Sequence, residues 1–131
     1  MDKLSLVLYR DDDGRVPILE WLDAEVSRRN PKIAIKCRAK MRVLRDIGPK
    51  QLPVEVTKPL RDGIWELRIE YQQVNYRILY FFSRERLIVI SHGCWKEAEV
   101  PPKEIDLAIR RKAAFESNTE AHAYVWQEEN N

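Results

Sequence analysis

Hydrophobic and polar residues alternate most regularly between Leu60 and Lys96, with the two-residue period of β-strands. Three such stretches follow one another, separated by short polar segments at Gln72-Gln73 and Arg84-Glu85. The apolar residues of the first two stretches fall on one face, which comprises Trp65, Leu67, Ile69, Tyr71, Val74, Tyr76, Ile78, Tyr80 and Phe82. The pattern predicts a three-stranded antiparallel meander with one buried face.

The second face of the meander is predicted to be apolar at one end and charged at the other. Its expected apolar residues are Leu79, Phe81, Ile88 and Ile90. With two-residue turns, Arg68 lies opposite Arg77, and Arg77 lies opposite His92. Glu66 then shares their face. The prediction holds for loops of even length and fails for an odd one, because side-chain direction alternates along a strand.

Directly opposed like charges destabilise a sheet, so the pairing of Arg68 with Arg77 requires an explanation. Either both guanidinium groups splay into solvent, or they hold an anion. The Glu66 carboxylate and the His92 imidazole are expected beside them. This combination favours an anion site at the charged end of the sheet.

Helical periodicity is found on both sides of the meander. The spacing of apolar residues predicts three helices, over residues 17–29, 31–47 and 103–115. Pro17 and Pro31 suit first turns of helices, where the missing N–H costs nothing, and Gly48-Pro49 ends the second helix. A short strand is expected at residues 4–9, and residues 50–59 are expected to form a loop or a short strand.

These elements predict an α+β fold, in which a small antiparallel or mixed sheet packs against two N-terminal helices and carries a C-terminal helix. The 131 residues suffice for one domain with its own core. We expect this domain to span residues 1–116 and to be followed by a polar tail at 117–131. Within the tail, Trp126 is a candidate for docking on the body or on a partner.

Composition excludes several classes of protein. No apolar run approaches the roughly 18 residues of a membrane span, and the N-terminus lacks the pattern of a signal peptide. Cys37 and Cys94 have neither the spacing of metal ligands nor that of a disulfide framework. The sequence therefore predicts a cytoplasmic protein without membrane contact.

The net charge of +2 is modest, but the basic residues are concentrated in one segment. Eight basic residues and no acidic ones occur from Arg28 to Arg45. Such a segment either follows the phosphates of a nucleic acid or is simply the solvated face of a helix. Lys36 and Lys40 are its candidates for RNA contact.

The sequence offers few groups for catalysis. It has no glycine-rich phosphate loop, and neither His92 nor His122 has neighbours at metal-ligand spacing, so no metal and no cofactor are expected. Ser91 and His92 are adjacent in a strand and are predicted to point to opposite faces, which excludes a nucleophile–base pair. A carboxylate, an imidazole and several cations remain. Such a set suits cleavage of RNA by its own 2′-hydroxyl, which needs a base, an acid and cations near phosphorus.

Four motifs in order resemble those of the RelE/HigB superfamily of toxins, and most closely those of its phage-derived HigB-like branch. The family patterns are K-x-L-x-x-G-[LI]-x-E-[LI]-R, Y-R-[IV]-[LF]-Y, H-[GA]-F-x-K-K and P-x-x-E-[IL]-x-x-A. They correspond here to residues 58–68, 76–80, 92–97 and 101–108. The resemblance covers roughly residues 1–115.

The resemblance implies a RelE-like fold and a ribosome-dependent endoribonuclease that cuts mRNA in the decoding site. It also implies a cognate helix-turn-helix antitoxin. By position, Arg68 and Arg77 match the basic residues that stabilise the phosphate, and Lys96 matches the basic residue after the third strand. The remaining candidates are Glu66 and His92 on the same face as catalytic groups, and Lys58 and Arg61 in the basic loop.

Several residues depart from the family pattern. Pro101 stands where relatives often carry a base-stacking tyrosine, Cys94 and Trp95 replace the usual Phe-x, and Glu97 replaces a lysine. Trp95 either stacks on an RNA base or packs in the interior. These departures concern the rate of catalysis and the base preference more than the fold.

Each catalytic assignment has a structural alternative. His92 is either the general acid or base, or a histidine at the end of a strand that bonds to backbone. Glu66 is either the base or an ion-pair partner of Lys58, Arg61 or Lys96. Two other functions stay open: a non-catalytic module that binds RNA or protein, and a degenerate toxin that serves as half of a regulatory complex.

Overall fold

Within the ranges that the computed structural model describes, residues 3–95 and 98–127, six strands form one mixed sheet. The strands are β1 (Ser5–Tyr9), β2 (Thr57–Arg61), β3 (Ile64–Tyr71), β4 (Val74–Ser83), β5 (Leu87–Trp95) and β6 (Ala123–Val125). Their spatial order is β2-β3-β4-β5-β1-β6. The β1 strand is parallel to β5, and the other neighbours are antiparallel. The predicted α+β architecture is confirmed.

The helices begin and end close to the predicted residues. They are α1 (Pro17–Glu20), a π-helical segment (Trp21–Val26), α2 (Ser27–Arg29), α3 (Pro31–Ile47), a 3₁₀ turn (Pro49–Gln51), α4 (Pro102–Ser117) and α5 (Thr119–His122). The Asn30 side chain caps α3 by accepting a hydrogen bond of 3.0 Å from the Lys32 N–H. Gly48, with φ of 89°, ends the same helix.

The N-terminal helices cover one face of the sheet, as predicted. Ile18, Leu22, Cys37 and Met41 are fully buried in this layer against the aliphatic and aromatic side chains of the sheet. Gly93 of β5 lies directly beneath Trp21, and a Cβ atom at this position would overlap the indole ring. Only glycine therefore permits the close approach of this helical layer to β5.

The second face is not left open, because α4 packs on its apolar end. Ile105, Ala108 and Phe115 of this helix are buried against side chains of the sheet that include Leu79 and Phe81. The prediction of a meander with one buried face was therefore incomplete, because α4 buries part of the second face as well. Only the charged end of this face remains for a ligand.

The hairpin between β3 and β4 has the predicted two-residue turn, and Arg68 lies opposite Arg77. Gln72 and Gln73 both adopt positive φ angles, of 51° and 67°. A turn of this kind matches the twist of the paired strands. The sequence therefore predicted this register correctly.

The hairpin between β4 and β5 differs from the prediction. Ser83 pairs with Leu87, so the turn contains three residues rather than the two at Arg84-Glu85. Ile88 and Ile90 consequently pack in the core under the N-terminal helices, and Val89 faces α4. The assignment of Ile88 and Ile90 to the α4 face was wrong.

The three-residue turn shifts the alternation of β5 by one residue, and a β-bulge at Ser91 shifts it back. Tyr80 pairs with Ile90 but Leu79 pairs with His92, which leaves Ser91 without a partner on β4. His92 thus returns to the predicted face. Its neighbour across the strands is Leu79, whereas Arg77 lies opposite Cys94, so the predicted pairing of Arg77 with His92 was wrong.

The C-terminal segment contributes a short strand to the sheet. The β6 strand pairs with β1, with Tyr124 beside Leu8. Trp126 packs against the core under the N-terminal helices, which agrees with docking on the body. Residue 116 therefore does not mark the end of the packed structure.

Candidate functional site

A cleft of about 360 Å³ lies at the charged end of the sheet, beside the start of α4. Five of the predicted site residues line it, namely Lys58, Arg61, Glu66, Arg68 and Arg77. Ala98, Glu99, Val100 and Ile105 form the opposite wall. We call this site the arginine cleft. Among its described lining residues, four basic side chains face two acidic ones, which favours an anionic ligand.

Glu66 is the centre of the charge network in the arginine cleft. Its side chain is 3% exposed, and Oε2 lies 2.9 Å from Nη2 of Arg68. Oε1 lies 3.1 Å from Nε of Arg77, and Nζ of Lys58 is 4.0 Å from Oε2. The ion pair with Lys58 that the sequence offered as an alternative is present. Pairs with both arginines accompany it.

The register of β3 and β4 explains why two arginines tolerate direct opposition. Glu66 and Arg68 are two residues apart on β3 and therefore share a face, and Arg77 pairs with Arg68 across the hairpin. The Glu66 carboxylate contacts both guanidinium groups and offsets their repulsion. The arginines do not splay apart into solvent.

The two arginines differ in their surroundings. Arg77 is buried, and its Nη2 donates a hydrogen bond of 2.7 Å to the Ala98 carbonyl in the opposite wall. The Arg68 side chain is 26% exposed, compared with 3% for Arg77. Arg77 therefore helps to shape the cleft, while the more exposed guanidinium of Arg68 is the one that a ligand can reach.

Arg61 and Lys58 lie at the mouth of the cleft. Arg61 Nη2 is 2.6 Å from Asp106 Oδ1 and Nη1 is 3.1 Å from Asp62 Oδ2. These carboxylates raise the pKa of the exposed guanidinium through hydrogen bonds, with Asp106 as the larger cause. The Lys58 side chain is 45% exposed. The structure thus places both predicted RNA contacts at the solvent side of the arginine cleft.

His92 lies on the same face but does not line the cleft. Its ring is almost buried, with Nδ1 at 2.7 Å from Ser91 Oγ and Nε2 at 2.9 Å from Glu104 Oε1. Burial lowers the pKa of His92, and the hydrogen bond to Glu104 opposes this effect without reversing it. The ring therefore favours its neutral form.

The prediction that Ser91 and His92 point apart was wrong. The bulge at Ser91 breaks the alternation and brings the two side chains into contact. Ser91, His92 and Glu104 form a line like that of a nucleophile, a base and an acid. Ser91 is fully buried, however, so a substrate has no path to its hydroxyl group.

Glu104 is the residue of this region that reasoning from the sequence did not single out. It lies in the first turn of α4 and connects that helix to β5 through His92. Contact with His92 is the largest cause of its lowered pKa. The P-x-x-E pattern at residues 101–104 contained the available signal.

Trp95 lies on the face opposite to the arginine cleft. It pairs with Tyr76, and the two rings stack with centroids 5.6 Å apart. The Arg29 guanidinium lies 4.0 Å from the indole centroid. These contacts match the packing alternative for Trp95, and they separate it from Arg68 and Arg77.

Lys36 and Lys40 line a second cleft, of about 490 Å³, between α3 and the sheet. Arg68 lines both this cleft and the arginine cleft. A series of basic side chains therefore runs over the surface from Lys36 and Lys40 on α3, past Arg68, to Lys58. Lys96 and Glu97 lie outside the described residues.

Two further properties concern the described ranges as a whole. None of their helices combines the length and apolarity needed to cross a bilayer. No cluster of three or more His, Cys, Asp and Glu side chains in these ranges is arranged to hold a metal ion.

Comparison with known protein families gives a match over most of the chain. The family described as Phage derived protein Gp49-like (DUF891) matches residues 24–113. The matched segment reaches from the π-helical segment into α4 and contains every described residue of the arginine cleft. No curated protein matches the chain significantly.

Proposed function

This chain belongs to the phage-derived Gp49-like family (DUF891), and we propose that it is a toxin that cleaves mRNA on the ribosome. The family is part of the RelE/HigB-like superfamily of toxins in toxin–antitoxin systems. That membership implies an antitoxin partner. Membership of the HigB-like branch and endoribonuclease activity are both parts of this proposal.

The arrangement of Arg68, Glu66 and Arg77 supports this proposal most directly. Two guanidinium groups converge on one carboxylate at a spacing that a phosphate oxygen can adopt in its place. A phosphodiester in the arginine cleft would accept hydrogen bonds from Arg68 and gain from the nearby charge of Arg77. Lys58 at the mouth would hold an adjacent phosphate.

The proposed reaction uses the 2′-hydroxyl of the RNA as the nucleophile. Glu66, once its arginine partners turn to the phosphate, accepts the hydroxyl proton. The 2′-oxygen bonds to phosphorus, the bond to the 5′-oxygen breaks, and a 2′,3′-cyclic phosphate results. Arg68 and Arg77 stabilise the charge that builds on the phosphorus oxygens.

The departing 5′-oxygen needs a proton. For His92 to provide it, the ring must first leave Glu104, because both of its nitrogens are engaged inside the protein. Lys96 is the other candidate from the sequence. A His92→Ala variant that still cleaves would exclude His92 as the proton donor, leave it with a structural role, and move the proton transfer to Glu66 or Lys96.

The test is induced expression in cells, followed by mapping of mRNA 5′ ends. We expect growth arrest with new cleavage sites that follow the reading frame. Arg68→Lys retains the charge and lacks the planar fork of donors, so it should reduce cleavage by about tenfold or more. Arg110→Lys, an equal change on an exposed position of α4, is the matched control. Cleavage that is equally fast in both variants would contradict the site.

A second candidate function is a degenerate toxin that binds but does not cut. The burial of His92 and the ion pairs that Glu66 forms with both arginines favour it. Purified wild-type protein that binds ribosomes carrying mRNA without producing new 5′ ends would support this alternative and exclude the nuclease.

The proposed partner is a helix-turn-helix antitoxin encoded beside this chain. Co-expression of the neighbouring reading frame should restore growth, and the two proteins should co-purify. A neighbour that neither rescues growth nor binds would contradict this part of the proposal. Since its substrate would be mRNA on the ribosome, we place the protein in the cytoplasm.

A further inference from the structure

A cavity of about 760 Å³ lies on the side of the sheet opposite to the arginine cleft. It is bounded by the C-terminal end of α3, the 3₁₀ turn at Pro49–Gln51, the start of β1 and the turn between β4 and β5. We call it the aromatic pocket. Its volume falls within the range of small-molecule sites, which is roughly 300–1,000 Å³.

Trp65 and Phe82 form the apolar floor of the aromatic pocket. Their ring centroids are 6.0 Å apart and the rings are nearly perpendicular, while Trp65 also stacks on Tyr80 at 6.0 Å. Both residues are only partly buried, because α3 ends at Ile47 and does not extend over them. The outer surfaces of Trp65 and Phe82 are therefore accessible to a ligand, while contacts with neighbouring aromatic rings fix the position of Trp65.

The rim of the aromatic pocket is predominantly basic. Lys3, Arg45, Lys50 and Arg86 line it, against the acids Asp46 and Glu85. Arg45 is paired with Asp46 at 2.8 Å, so the main excess of positive charge comes from the exposed lysines. The rim thus suits a ligand that carries negative charge next to a flat apolar group.

We propose that the aromatic pocket binds a nucleotide, whose base lies on Trp65 and Phe82 and whose phosphate contacts Lys3 and Lys50. Proteins that bind single-stranded nucleic acids combine cationic side chains, which contact the phosphates, with aromatic rings, on which the bases stack. The nucleotide is either free or an unpaired residue of an RNA strand. This site goes beyond the proposed function, since it lies across the sheet from the cleft and requires no cleavage.

The test uses the full chain labelled with 5-fluorotryptophan and followed by fluorine NMR. A Trp65→Phe variant assigns the Trp65 resonance. Adenosine 5′-monophosphate, adenosine and a hexamer of deoxyadenylate are titrated separately. The hexamer lacks 2′-hydroxyl groups, so a nuclease of the proposed mechanism cannot cleave it.

We expect the Trp65 resonance to shift and saturate with the monophosphate or the hexamer, and adenosine to bind more weakly because it lacks the phosphate. Lys3→Glu combined with Lys50→Glu should weaken binding by about tenfold or more. The matched control, Lys103→Glu combined with Arg110→Glu, changes the net charge equally on α4 and should bind like the wild type. Similar affinities for monophosphate and hexamer indicate a free nucleotide, and a tighter hexamer indicates a strand.

Two results would overturn this site. One is a Trp65 resonance that stays unchanged in millimolar monophosphate and in excess hexamer, as expected if the pocket instead holds an acidic protein segment. The other is equal binding by the pocket variant and the control. Either result leaves the proposed function of the arginine cleft unaffected, because that proposal is tested separately, by measuring mRNA cleavage in the Arg68→Lys variant.

Discussion

His92 Nε2 lies 2.9 Å from Glu104 Oε1, and this contact connects the bulged end of β5 to the first turn of α4. A second contact, from Arg77 to the Ala98 carbonyl, fixes the segment that leads into the helix. Together they position the wall of the arginine cleft. His92 thus helps to position the wall of the arginine cleft through its contact with Glu104.

The state of His92 predicts a pH dependence of stability. Its pKa in the folded protein is below the ordinary value of 6.5, so the unfolded chain takes up a proton first as the pH falls. The lowered pKa of Glu104 acts in the same direction at more acidic pH. We therefore expect the free energy of unfolding, measured in urea, to decrease from pH 7 to pH 5.

His92→Gln is the variant that isolates this effect. Glutamine retains hydrogen-bonding groups but does not titrate, so the decrease just below pH 6.5 should become shallower. Stability at pH 7 should fall by about 1–3 kcal/mol, because buried partners lose their bonds. An unfolding free energy that follows the same pH curve as the wild type would assign the decrease to other groups.

Glu66→Gln should destabilise the protein strongly. It removes the charge that two opposed arginines share, and Glu66 and Arg77 are both about 3% exposed. Loss of one partner in such a buried pair costs about 3–5 kcal/mol. Urea unfolding measures the change. Arg61→Ala, which breaks ion pairs of an exposed side chain, should cost much less, because solvent screens such pairs.

A double replacement tests whether the cost comes from unpaired charge. Glu66→Leu combined with Arg77→Met removes both members of the pair whose two side chains are buried, so part of the stability lost in Glu66→Gln should return. A double variant less stable than Glu66→Gln would show that the loss comes from packing and not from charge.

Gly93→Ala should destabilise the fold through Trp21. An added Cβ overlaps the indole ring, and overpacking of this kind costs about 1–3 kcal/mol. Trp21→Phe in the same chain provides space, so the double variant should lose less than the sum of the single losses. Thermal and urea unfolding of the three variants measure this. Strictly additive losses would contradict a direct clash.

A chain that ends at Ser117 should be less stable than the full chain. It lacks β6, which pairs with β1, and His122, which stacks on Tyr9 with ring centroids 5.2 Å apart. It also exposes the edge of β1 and core contacts of Tyr124. We expect a loss of about 2 kcal/mol or more and increased association, by thermal unfolding and size-exclusion chromatography. Equal melting temperatures would show that the segment is dispensable.

Local sequence determined the region around β3 and β4. Alternation with period two, together with a two-residue turn at Gln72-Gln73, is enough to place Glu66, Arg68 and Arg77 on one face. Helices α3 and α4 were equally accessible, since prolines and apolar spacing mark them. Such features depend on residues that are near each other in the chain.

The tertiary structure decided what depends on residues far apart in the chain. The bulge at Ser91 and the three-residue turn before β5 each reverse the alternation, and neither leaves a distinct pattern in the sequence. The contact of His92 with Glu104 and the pairing of β6 with β1 likewise form only when distant segments meet. Local periodicity thus fixed which side chains of β3 and β4 share a face. Long-range packing decided which of them are buried, paired or open to a ligand, because burial depends on what the rest of the chain places over them.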